Sequence, residues 1–259
     1  MAESDISPFD PGRSPAQNDA ALAHATRLIL QVCHLAGTAA FIDEAGLGPG
    51  GKDLREAIRG RNTADLFDWL VAALSYQGIS DQVASDFIDR HGLAWRPGPD
   101  RLTRMRAALL DPLREVYGVS DKVLMMALSG LLLASTKPIW AEVGASMIAI
   151  DTLVHNFLHR TGILHRFDAS HAYGVACYRP HSCADVIRSV AAQIDARQFN
   201  RTFPQIFPRF VQHAIWRYCA QNYFGICNGN RINDREPCQN GHCRLYWLCD
   251  SKSLINQRF

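Results

Sequence analysis

Apolar residues recur at helical intervals along most of the chain, and they nowhere alternate with polar ones as a half-buried strand requires. Residues 20–45 keep this helical spacing until the run Gly46-Leu-Gly-Pro-Gly-Gly51 interrupts it. Asn62 can cap a helix over 64–76, where Leu66, Phe67, Leu70, Val71 and Leu74 fall on one face. Ser80 or Asp81 starts a further helix reaching about 90, and others cover 101–110 and 112–116. Gly118 ends the last of these, and a long apolar helix follows over 121–134. After a linker at 135–140, helices are expected over about 146–159, 183–194 and 208–223. The pattern predicts an all-α fold.

The first nineteen residues are Pro- and Ser-rich and read as a flexible tail. An N-terminal helix and linker over 20–61 would pack on the second lobe. A helical lobe would span 62–165, with a tight pair of helices at about 112–134. A C-terminal helical lobe over 166–259 would carry a cysteine-rich loop at 227–249.

Composition narrows the class only a little. With 47% hydrophobic residues among 259, the chain can bury a core without disulfides. A net charge of +2 neither demands nor excludes a nucleic-acid partner. Only four of the 27 basic residues are lysines, so a lysine inside a motif draws the eye. The opening segment is not charged and then apolar as a secretory signal is, and no apolar run reaches membrane length. A cytoplasmic protein without membrane contact is therefore expected, in which eight cysteines are metal ligands or buried thiols before they are disulfides.

Three segments then stand out for chemistry. Val116-Tyr-Gly-Val-Ser-Asp-Lys122 is a tight turn between helices, whose outward N–H groups can hold a phosphate. Lys122 falls in the first turn of the next helix, where an amine freed of its proton is a nucleophile toward a sugar carbon. Asp151 opens a later helix, and a carboxylate there can assist that amine and stabilise positive charge on the sugar. The tail Cys227-x10-Cys238-x4-Cys243-x5-Cys249 places four thiolates close enough in sequence for zinc or an iron–sulfur cluster. Cys219 is an alternative to Cys227 and His242 a weaker ligand, whereas Cys33, Cys177 and Cys183 read as ordinary thiols.

Taken in order, these segments resemble the helix-hairpin-helix DNA glycosylases, the superfamily of endonuclease III and 8-oxoguanine glycosylase. The family hairpin Leu-Pro-Gly-Val-Gly-x-Lys aligns with residues 116–122, placing Gly118, Val119 and Ser120 at the phosphate-binding turn and Lys122 at the catalytic lysine. The family's Val-Asp-Thr and Asn-Arg-Thr elements match Ile150-Asp151-Thr152 and His159-Arg160-Thr161. Leu74-Ser75-Tyr76-Gln77 matches a Leu-Ser-x-Gln segment, in which Gln77 would fill the gap left by an extruded base. Tyr117, Ser120 and Leu153 depart from the family pattern, and residues 135–144 look like an insertion.

The resemblance implies a two-lobed monomer that binds duplex DNA, with Tyr76, Gln77, Gly118, Val119, Ser120 and Arg160 at the DNA. It implies base excision and strand cleavage by Lys122 and Asp151, and a [4Fe–4S] cluster on Cys227, Cys238, Cys243 and Cys249 in preference to zinc. The substrate is left open between oxidised pyrimidines, 8-oxoguanine and a hypermodified phage cytosine cleaved in defence. A non-catalytic DNA-binding or redox-sensing module, or a zinc-stabilised interaction protein, are the readings from other classes.

Overall fold

A computed structural model describes residues 14–42, 102, 106, 110, 120–133, 138–228 and 232–254. Their regular elements are helices, and among the described residues there is no strand. The chain forms two compact units. One comprises Met1–Ala39 with Ile150–Phe259, and the other is Ala40–Ala149.

In the first unit, α1 (Pro15–Ala36) begins within the segment whose composition suggests a flexible tail. The reason is local. Ser14 accepts from the Gln17 N–H while Gln17 Oε1 reaches back to the Ser14 N–H, closing a capping box, and Pro15 supplies a pre-set φ at the first helical position. Leu28, Ile29, Val32 and Cys33 lie on its buried face. That face packs on α7 (Pro208–Cys219) and α6 (Cys183–Ala192). Phe203, Phe207 and Phe210 meet edge-on or tilted at the start of α7, with centroids 5.2–5.9 Å apart. Each fully buried Leu, Ile or Phe side chain of this kind contributes about 1.5–3 kcal/mol relative to exposure.

Between them lie α4 (Thr152–Arg160) and the single turn α5 (Ile163–Arg166). Helix α4 starts six residues later than the expected span of 146–159, because Met147, Ile148, Ala149 and Ile150 form a buried, non-helical approach. Gly162 separates α4 from α5 with φ +80, and a Cβ there would meet the Asp250 carboxylate. The joint therefore needs glycine.

In the second unit, α2 (Asp121–Leu133) and α3 (Pro138–Ser146) pack on each other. Helix α3 starts halfway through the segment 135–140 expected to be linker, with Pro138 at its first position. Gly144 lets it approach α2 so closely that a Cβ would lie 2.9 Å from the Leu133 nitrogen. The Ser129 hydroxyl spans the gap to the Gly144 carbonyl at 2.9 Å. No described helix is long and apolar enough to cross a membrane.

Candidate metal centres along the Asp151 helix

Helix α4 carries the three features on which the chemistry turns. At its start Asp151 is the N-cap, accepting the Val154 N–H at 2.9 Å, and it remains partly exposed. The residue before it is fixed by the Tyr178 hydroxyl, which accepts the Ile150 N–H at 2.9 Å. Buried Arg209 on α7 lies within electrostatic reach of this carboxylate. Burial pulls its guanidinium down to about 10, while Asp151 and then Tyr178 work against that fall. Tyr173 is 46% exposed, and its hydroxyl is pushed up first by burial and then by the Asp151 charge. A carboxylate flanked by an arginine and a half-open tyrosine is suited to steering charge on a bound ligand.

Lys122 is half-buried in the first turn of α2, and exposed Ser120 precedes that helix, its carbonyl accepting the Leu124 N–H at 3.0 Å. Lys122 and Ser120 belong to the Ala40–Ala149 unit and Asp151 to the other. Tyr76, Gln77, Gly118 and Val119 lie outside the described residues.

The far end of α4 meets the cysteine loop. Cys227, Cys238, Cys243 and Cys249 all line one cavity. Arg160 and Tyr218 line it as well. Three of the sulfurs have hydrogen-bonding partners: the Tyr218 hydroxyl lies 3.0 Å from Cys243 Sγ, the Ser251 N–H donates to Cys249 Sγ at 3.3 Å, and Arg160 Nη1 donates to Cys227 Sγ at 3.6 Å. Cys227 is held down to about 7 by the hydrogen bond from Cys219 first, against burial, with Arg160 adding to it. Cys219 itself is fully buried, donates to Cys227 and does not line the cavity.

Arg160 is buried. It is 2% exposed, and its guanidinium pairs with Asp234 as well as Cys227. Its carbonyl accepts the Lys252 N–H at 2.8 Å. The side chain, expected at the DNA, faces inward here and ties α4 to the cysteine loop.

The middle of α4 holds a group that the sequence reading missed. His155, His171, Cys177 and Cys183 bring their ligand atoms within 4.8 Å of one another, and together they can hold a metal ion. His155 Nδ1 is 3.4 Å from both Cys177 Sγ and Cys183 Sγ, and His171 Nε2 is 3.3 Å from Cys183 Sγ. Cys177 and Cys183 are fully buried and His155 nearly so. The Cys177 thiol is held down to about 3 by its hydrogen bond with Cys183 first, then by His155 and His171, with burial opposing. Cys183 is pushed up, burial first and Cys177 second. These two cysteines are thus not ordinary thiols as expected. The intervals x15, x5 and x5 between the four residues match no common ligand pattern, so spacing gave no warning. Among the described residues this is the one such group.

No family model matches the chain, and neither a curated protein nor a solved structure does.

Proposed function

We propose that the chain is a DNA glycosylase with lyase activity, in which Lys122 is the nucleophile, Asp151 the assisting carboxylate, and the loop cysteines hold a [4Fe–4S] cluster. One observation supports this above the others. The four cysteines, spread over 227–249, surround a single cavity at one end of α4, and Asp151 caps the other end of that same helix. Two segments that the sequence links only through resemblance thus share one rigid element.

The cysteine cavity suits a cluster better than a lone ion. A tetrahedral zinc with Zn–S bonds of about 2.3 Å holds its sulfurs about 3.8 Å apart, and the loop cysteines do not form a group gathered for a single ion. A cubane spreads its thiolates more widely, and N–H and O–H groups aimed at the sulfurs stabilise such ligands. Cys227, Cys238, Cys243 and Cys249 would hold it, and its contribution would be to fix the loop. That loop also exposes Trp247 (88%), Arg235 and Arg244, an aromatic with neighbouring cations that suits a phosphate backbone.

In the reaction, a nucleotide turned out of the duplex presents its sugar to the amine of Lys122. The Lys122 nitrogen bonds to the anomeric carbon as the bond from that carbon to the base breaks. The base departs with the electron pair, and the proton lost by the amine passes to it by way of Asp151. Opening of the sugar ring then gives a Schiff base, which permits strand cleavage by β-elimination. Asp151 also offsets positive charge on the sugar as the base leaves.

The test is incubation of the iron-replete protein with duplexes that each carry one modified base, scored for released base and for nicks. Release from at least one duplex class, abolished in Lys122→Ala, is expected. No release across oxidised pyrimidines, 8-oxoguanine and hypermodified cytosines would overturn the proposal.

A further inference from the structure

We propose that His155, His171, Cys177 and Cys183 bind a structural zinc ion, which staples the connection over 167–182 to the middle of α4. A tetrahedral zinc with sulfur at about 2.3 Å and nitrogen at about 2.0 Å places S and N about 3.5 Å apart. The three N···S separations of 3.3–3.4 Å already match that shell before any ion is added. Two thiolates also balance the double positive charge of the ion, which is what an interior site requires.

The imidazoles are oriented as ligands. His171 Nδ1 lies 2.6 Å from the Ala169 carbonyl and donates to it, which leaves a lone pair on Nε2, the nitrogen facing Cys183. His155 turns Nδ1 toward both sulfurs. Behind them His159 packs edge-on against His155 at 4.5 Å, and its Nε2 donates to the His171 carbonyl at 2.9 Å, so the backbone of one ligand is fixed as well. Four protein ligands leave no position open for a substrate. The site is therefore structural.

The connection explains why a staple is needed. Between α5 and α6 the chain has one short 3-10 turn, Val175–Tyr178, as its regular structure. Asp168 and His181 adopt φ +51 and +60, conformations that side chains disfavour, near the two ends of the segment. The same segment carries Tyr173, whose ring lies 5.6 Å from that of His155 on α4. Zinc would hold Tyr173 against the helix that Asp151 caps; only the bearing of that on catalysis rests on the glycosylase reading. Zinc is favoured over other divalent ions by a mixed imidazole and thiolate set gathered at tetrahedral distances.

Zinc and iron are counted separately in the full-length chain as purified, and X-ray absorption at the zinc edge reads the neighbours of the zinc. Stoichiometric zinc with two sulfurs and two nitrogens is expected. Cys183→Ser and His171→Gln should each lose the zinc and keep the iron. The wild-type spectrum needs no variant, so poor folding of a variant leaves the test intact. Wild-type protein that lacks zinc and takes none from added zinc chloride would overturn the proposal, as would a shell of four sulfurs. Iron content bears only on the loop cysteines, so failure there and failure here are told apart.

Discussion

Asp151→Asn should lower the rate of base release by about 10²–10⁴-fold, the range typical of a lost acid–base group, while leaving the fold almost unchanged. The contrast is available because the proposed function gives Asp151 a second task beside its N-cap. As the N-cap of α4 it accepts the Val154 N–H, and asparagine accepts that bond about as well. Asparagine cannot take a proton from an amine or offset a cationic sugar. Asp151→Ala would remove the cap too, at a typical cost of about 1 kcal/mol, and so confuses the two roles. Single-turnover rates for the Asn variant, measured beside its thermal midpoint, check this. An Asn variant with wild-type rates would remove Asp151 from the chemistry.

Arg160→Met should bleach the iron–sulfur absorbance and lower stability by about 2–4 kcal/mol. Breaking a buried charged pair by deleting one partner typically costs 3–5 kcal/mol, and the lower figure applies because Asp234 is 36% exposed and can recover water. The methionine fills much of the volume but donates nothing to Cys227 Sγ. Arg160→Lys should fall between the two, since one ammonium cannot serve the sulfur and the carboxylate in the fork geometry of a guanidinium. Iron per chain and thermal unfolding of the three proteins measure the effect. Unchanged iron and an unchanged midpoint in the Met variant would contradict the placement of Arg160 under the loop.

Much of the helical framework was legible because its punctuation is local. Asp121 and Cys183 start their helices where the apolar spacing indicated, and Pro208 marks the start of α7. The start of α1 was hidden because the capping box Ser14-Pro-Ala-Gln17 lies inside a stretch whose composition imitates a disordered tail. The start of α4 was blurred because the buried run Met147–Ile150 is apolar at every position, a pattern shared by core helices and buried extended chain.

The sites divide along the same line. Cysteines clustered in one loop advertise themselves, and the fold brings all four to one cavity. The His155, His171, Cys177 and Cys183 group is assembled from a helix, a loop, a 3-10 turn and a second helix, so only three-dimensional packing reveals it. Arg160 was found by motif, but nothing in a sequence says which way an arginine turns. It turns inward because Asp234 and Cys227 come from a loop more than sixty residues away.

The most direct measurement is the site of the covalent adduct. Borohydride added to the protein during reaction with a cleaved duplex reduces a Schiff base to a stable bond, and peptide mass spectrometry then locates the sugar remnant. The account places it on the Lys122 nitrogen. An adduct mapped to another amine, or base release that proceeds at full rate with no adduct trapped, would contradict it.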